Sequence, residues 1–177
     1  MVEIIYYVAA SLDGYIATED GGVDWLGRFD TSGEDHGAGK LNASVDALLL
    51  GSRTYEFALK LGKWPAPDKP SWVFTRRALA VLHPSITLTS EAPVKVVDML
   101  AARGFRRAWL MGGGKLAMSF HAEQLISRYI ISVFPVLLGK GIPLFASHAC
   151  SMDVLRFVTA RSFETGIVQL TYERRNA

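Results

Sequence analysis

The sequence predicts an α/β fold: a mostly parallel central sheet with helices on both faces and an antiparallel C-terminal edge. Three observations predict it. Apolar runs of strand length alternate with helical segments as far as residue 121, the pattern of parallel strands joined by right-handed crossovers. The first run, EIIYYVAA at 3–10, is apolar almost without interruption, as a strand covered on both faces is. Beyond residue 124 helical spacing stops and three β-rich runs follow one another, which favours antiparallel pairing at one edge.

The elements follow in order. Residues 11–33 are rich in Gly, Asp, Ser and Thr and read as loop, with Trp25 as an aromatic anchor. A short helix is expected over about 34–43. VDALLLG (45–51) is a second buried strand. SRTYEFALKL (52–61) has helical spacing, with Tyr55, Ala58 and Leu59 on one face and Gly62 to stop it. A Pro-rich turn leads to SWVFT (71–75), a third strand, and ITLT (86–89), a fourth. APVKVVDMLAARG (92–104) opens with Pro and closes on Gly, a helix signature. RRAWLM (106–111) is the next strand, followed by glycines and a helix to about 121. The closing strands are expected in 125–138, 154–163 and 166–175.

The chain of 177 residues suits one domain, 1–177. Half of it is apolar and a fifth charged, a globular composition. With 19 basic and 17 acidic residues and no basic run, nothing points to nucleic acid. Cys150 is the only cysteine, which excludes an internal disulfide and leaves a small buried thiol as the expectation. The start lacks a cationic n-region and no segment reaches about 18 apolar residues. A soluble cytoplasmic protein with no membrane contact is therefore expected. The four histidines (36, 83, 121 and 148) are scattered, so no metal is expected.

The run WLMGGGKLAMSF (109–120) puts three glycines between a strand and a helix. A helix N-terminus offers unpaired N–H groups and a partial positive charge, and a phosphate can sit there where no Cβ blocks the backbone. GGGKLA (112–117) thus reads as an anion cradle, or alternatively as glycines that allow close strand–helix packing. A P-loop would need glycine where Trp109 stands and Ser or Thr where Leu116 stands. A standard Rossmann site would carry this fingerprint early, with an acid some 20 residues on. Neither fits. A second junction, LLLGSRTYE (48–56), offers Gly51, Ser52, Arg53 and Thr54; either hydroxyl could serve as an N-cap. A third, VFTRR (73–77), offers Thr75, Arg76 and Arg77, either as a phosphate fork or as a solvated basic turn. All three follow strands, where open α/β sheets bind ligands. Their coincidence points to a dinucleotide with an extra phosphate held by Arg76 or Arg77.

YVAASLDGYIA (7–17), DALLLGSRTYE (46–56), VFTRR, LMGGGKLA (110–117), FPVLLGKGIPLF (134–145) and LTYERR (170–175) together resemble the dihydrofolate-reductase-like superfamily. PVLLGKGIPLF points to the branch that holds the reductase domain of the riboflavin-pathway deaminase-reductase and its stand-alone bacterial relatives. The resemblance implies the three-layer fold of that superfamily and NADPH as cofactor. Ala9, Ala10, Ile16 and Ala17 would flank the nicotinamide. Gly51, Ser52, Arg53 and Thr54 would meet the pyrophosphate and adenosine side, and Thr75, Arg76 and Arg77 the 2′-phosphate. Met111, Gly112, Gly113, Gly114, Lys115 and Leu116 would close on the pyrophosphate.

At the substrate end, counting back from Gly51 places Asp35 where dihydrofolate reductases keep their carboxylate; it is either a substrate-contacting acid or an exposed helix-start charge. Trp25 would wall the pocket or anchor the core. Asp13 is expected to brace a turn with Gly14. Lys69 falls where folate enzymes keep an arginine for the substrate carboxylate, but lysine lacks the bidentate fork. No zinc-ligand spacing of a deaminase is present. The expectation is an NADPH-dependent reductase of a planar nitrogen heterocycle, a pteridine or pyrimidine, similar to 5-amino-6-(5-phosphoribosylamino)uracil reductase. The alternatives are a dihydrofolate reductase, a non-catalytic NADP-binding module and a plain oligomerising scaffold. The apolar C-terminal strands and the resemblance imply a homodimer.

Overall fold

The computed structural model describes residues 1–29, 35–60, 64–147 and 152–175. The chain runs β1 (Glu3–Ser11), β2 (Tyr15–Ala17), a 3-10 turn (Asp24–Phe29), α1 (Ala38–Ser44), β3 (Ala47–Gly51), α2 (Ser52–Lys60), β4 (Ser71–Phe74) and β5 (Ile86–Thr89). It continues with α3 (Pro93–Ala102), β6 (Arg107–Gly112), α4 (Gly114–Ala122), β7 (Ile126–Phe134), β8 (Ile142–Pro143), β9 (Leu155–Ser162) and β10 (Val168–Arg174). Eight strands form one sheet in the order β5-β4-β3-β6-β1-β7-β10-β9. The first six are parallel, and β10 runs antiparallel between β7 and β9.

The apolar runs form strands because their side chains satisfy two faces at once. Ile4, Tyr6 and Ala10 of β1 pack on one side, Ile5 and Tyr7 on the other. β3 sorts Ala47 and Leu49 from Leu48 and Leu50, and β6 sorts Ala108 and Leu110 from Trp109 and Met111. That period-two division is what burial on both faces requires. Leu41 of α1 and Tyr55 of α2 cover one face; Val96 and Leu100 of α3 and Ala117 and Phe120 of α4 cover the other. Each fully buried Leu or Phe of these layers contributes about 2 kcal/mol. The fold class expected from the sequence is the one observed.

Boundaries differ where a residue cannot continue an element. α1 starts at Ala38 rather than near 34, because His36 (φ 51) and Gly37 (φ 90) are left-handed. β7 ends at Phe134 rather than at 138, since Pro135 has no N–H to donate. β2 and β8 form a separate two-stranded sheet within what the sequence presents as loop. The proposed stop at Gly62, and Glu34, His148 and Cys150, lie outside the described residues. Among the described residues no helix is long and apolar enough to cross a membrane, and no three His, Cys, Asp or Glu side chains group to hold a metal ion.

Candidate active site

Neighbouring strands β3 and β6 send their following helices to opposite faces, α2 with Tyr55 to one and α4 with Phe120 to the other. Such a divergence opens a crevice at the carboxyl ends of the strands. The glycines of the two junctions meet there. A Cβ on Gly51 would stand 3.7 Å from the Gly112 carbonyl oxygen, and one on Gly113 would stand 3.9 Å from the Gly51 Cα.

Each of the three consecutive glycines has its own reason. Gly112 and Gly113 have φ of 148° and 90°, which residues with a Cβ avoid. Gly114 has no room: a Cβ there would run into the Pro143 carbonyl oxygen and stand 3.2 Å from that of Leu144. α4 starts without a side-chain cap, so its first N–H groups face the crevice without a competing hydroxyl or carboxylate.

Two adjoining cavities occupy the crevice, of about 390 and 960 Å³. The smaller lies on the α1–α2 face and is walled by Ala9, Ile16, Phe57, Trp109, Met111 and Phe134. The larger runs over Gly51, Phe74, Gly114, Lys115 and Leu116 beside the 141–147 segment. Arg53, Thr54, Gly113 and Ile142 border both. Arg53, Arg76 and Lys115 are exposed at the larger cavity, and none has an ion-pair partner among the described residues. By contrast, in a basin at the other end of the sheet, lined by Glu3, Arg128, Arg156, Glu173, Arg174 and Arg175, part of the charge is taken up internally. There Arg128 pairs with Glu173 at 2.9 Å, and Arg156 pairs with the same carboxylate.

The structure brings together most of the residues singled out in the sequence. Ala9, Ile16, Ala17, Asp35, Met111 and Gly112 line the smaller cavity; Gly51, Ser52, Arg76, Gly114, Lys115 and Leu116 line the larger; Arg53, Thr54 and Gly113 line both. Five need correction. Ala10 points to the other face of β1 and is 1% exposed, since strand alternation separates it from Ala9. Thr75 and Arg77 line neither cavity. The Thr75 hydroxyl accepts the Arg77 N–H at 2.9 Å, and the Arg77 guanidinium clasps Glu56 at 3.0 and 2.7 Å. Lys69 precedes β4, at the opposite end of the parallel sheet, and its ammonium donates to the Val45 carbonyl at 2.7 Å. Trp25 does not wall the pocket but anchors the core, the other role expected of it: it is buried behind the cleft wall, edge-on to Phe134 at 5.4 Å.

Asp35 does reach the smaller cavity, but its carboxylate also holds the start of α1. It accepts the N–H of Gly37 at 2.8 Å and of Gly39 at 2.7 Å. The Gly37 and Gly39 amides keep its carboxyl below the ordinary carboxylate value, so it is an anion at neutral pH. Asp13 braces its turn as expected, accepting from the Ser11 hydroxyl and from the Leu138 and Gly139 amides.

The floor of the smaller cavity holds polar groups that sequence reasoning missed. The Ala9–Ser132 and Ser132–Gln169 registers put these residues abreast on β1, β7 and β10. The Gln169 amide donates to the Ser132 hydroxyl at 3.0 Å and to the His36 carbonyl at 2.9 Å. The Tyr7 hydroxyl donates to that same carbonyl at 3.3 Å. Burial raises the Tyr7 phenol above its usual value, so it stays protonated. The available signal was Ser132 and Gln169 themselves, single polar residues inside apolar strand runs.

A family model, the RibD C-terminal domain, matches residues 2–169. The chain is 37% identical over 172 residues to the uncharacterized protein YwjB of Bacillus subtilis (strain 168), covering 96% of this chain and 97% of that one. A solved structure of a Shewanella sp. PV-4 protein named for riboflavin biosynthesis superposes with a TM-score of 0.87 at 31% identity, covering 99% of this chain and all of that one. A deaminase/5-amino-6-(5-phosphoribosylamino)uracil reductase of Thermotoga maritima shares the fold, with a TM-score of 0.70 at 15% identity; the match spans 98% of this chain and 57% of that one. The strap 134–145 that pointed to the riboflavin branch is the segment pressed against Gly114, and with the match running almost end to end the chain belongs to the RibD C-terminal domain family.

Proposed function

We propose that this chain is a cytoplasmic NADPH-dependent reductase of a planar nitrogen heterocycle, of the riboflavin-pathway reductase kind. The observation that carries this reading is the continuity of the crevice: a glycine-floored half ringed by Arg53, Arg76 and Lys115, cations unpaired among the described residues, opens into an apolar half walled by aromatic rings. An anionic dinucleotide fits the first half. Bare amides at Gly113 and Gly114 and the start of α4 suit a pyrophosphate, and Arg76 suits a 2′-phosphate. Ala9, Ile16 and Ala17 leave flat apolar space for a nicotinamide beside the second half.

When bound, NADPH supplies a hydride, the two electrons of the reduction, to the acceptor carbon. Ala9, Trp109 and Phe134 keep that site dry and hold the acceptor ring in place. The remaining proton has to come from the polar floor or from water beside it. Asp35, held ionised by its two amides, orients the ring, and the protonated Tyr7 hydroxyl is the nearby O–H donor.

The family belonging and the likeness to the Shewanella protein support the same reading. We further propose that the chain works as a homodimer joined through β9, the sheet-edge strand, where Phe157 and Val158 are 56% and 40% exposed. The test is a panel of pteridines and aminopyrimidines read at the nicotinamide absorbance. Oxidation of NADPH driven by one member supports the reading. NADPH binding without oxidation by any member would make the chain a binding module instead.

A further inference from the structure

The two cavities of the crevice differ in charge, the larger being the more cationic. Arg53, Arg76 and Lys115, without an ion-pair partner among the described residues, stand at the larger cavity, where the acid Glu19 is paired with Lys140, and of the three only Arg53, at the seam, borders the smaller one as well. Beyond the seam the smaller cavity holds the Asp35 carboxylate, the Tyr7 and Ser132 hydroxyls and His36, with no lysine and no second arginine among the described residues that line it. The His36 ring is occupied: its Nε2 meets the Thr165 hydroxyl at 3.2 Å, and it lies edge-on to Phe163 at 4.9 Å.

We infer that the heterocycle taken by this cleft carries no phosphate. The inference rests on the reductase reading above and names its substrate class: an uncharged or cationic pyrimidine or pteridine, with a neutral side chain or none. A phosphate at this end would approach the Asp35 carboxylate, and beyond Arg53 the described lining offers it neither an arginine fork nor a bare helix start; a like-charge approach is unfavourable, moderated here by the exposure of Asp35. The groups that could receive a phosphate belong to the half of the crevice that suits the nucleotide. A neutral ring, in contrast, finds an acceptor in Asp35, hydroxyls at Tyr7 and Ser132, and aromatic walls at Trp109 and Phe134.

The test uses the full chain with saturating NADPH and two matched pairs of compounds. One pair is 5-amino-6-(5-phosphoribosylamino)uracil and its dephosphorylated ribosylamino counterpart; the other is 7,8-dihydroneopterin and its monophosphate. NADPH binding is measured first by calorimetry. The expected result is a kcat/KM at least about tenfold higher for the unphosphorylated member of a pair, with Asp35→Asn narrowing that ratio. Asn keeps a cap for α1, and should the variant fail to fold, the wild-type ratio decides alone. Preference for a phosphorylated member, or turnover of no member by a chain that binds NADPH, overturns this inference and leaves the nucleotide site standing. Failure to bind NADPH overturns the reductase reading and this inference with it.

Discussion

A Cβ on Gly114 would run into the carbonyl oxygen of Pro143. The start of α4 and the 141–147 segment therefore close on one another through bare backbone. The same segment is tied to the N-terminal turn, where the Leu144 N–H donates to the Gly14 carbonyl at 2.8 Å. Gly114→Ala must push these two segments apart. Overpacking of this kind costs about 1–3 kcal/mol, so the melting temperature drops and NADPH affinity falls with it. A thermal melt of the variant beside the wild type checks this; an unchanged melting temperature would contradict the packing described.

Arg76 and Arg77 are neighbours with different duties. Arg77 is spent on Glu56, whereas Arg76 faces the larger cavity without an ion-pair partner among the described residues. A charge-assisted hydrogen bond to a phosphate is worth about 1.5–3 kcal/mol, so Arg76→Ala weakens NADPH by about tenfold or more and leaves NADH nearly untouched. Arg77→Ala loses only an exposed ion pair, which contributes little to stability. Fluorescence titration of both variants with both nucleotides separates the two roles. An equal loss for NADH and NADPH in Arg76→Ala would remove that arginine from the 2′-phosphate.

Asp35 gives a pH dependence with a definite sign. Its carboxyl is lowered from 3.8 in the folded chain by the Gly37 and Gly39 amides. Its contribution is therefore complete above that ordinary value and lost as the pH falls through the depressed one. Asp35→Ala unfolds at lower urea than the wild type at neutral pH, and the two curves converge in strong acid. A gap that persists in acid would mean the carboxylate does not hold α1. For the same reason this group adds no ionisation step to the activity profile near neutrality.

The sheet ends on β9 with an unpaired edge and exposed Phe157 and Val158. Sedimentation should find a dimer at micromolar concentration, and Val158→Lys should shift it to monomer, since a lysine on an edge strand opposes pairing. A wild-type monomer would contradict the proposed assembly.

Much of this was legible in the sequence because the physics involved is local. β5 spans the four residues of ITLT, and α3 begins at the Pro that opens its segment. The glycine junctions at 51 and 112–114 each signalled an anion site, though not that Gly51 and Gly113 would share one floor. That meeting depends on β6 inserting between β3 and β1, which no local pattern encodes. β2 and β8 escaped notice because strands of three and two residues leave no periodicity to detect. Lys69 and Ala10 were misplaced by analogy of position: one lies before its strand instead of after it, the other one step out of phase on β1. Ser132 and Gln169 meet only through the β7–β10 register, a long-range pairing.

The proposed site for one NADPH is built from the glycine junctions at Gly51 and Gly112–Gly114 with Arg53, Arg76 and Lys115. Titration calorimetry of the full chain with NADPH tests it most directly. The expected result is a saturable heat at one nucleotide per chain, strongly weakened by the Lys115→Ala and Arg76→Ala double variant. A flat titration of the folded wild type, or one the double variant leaves unchanged, would contradict it.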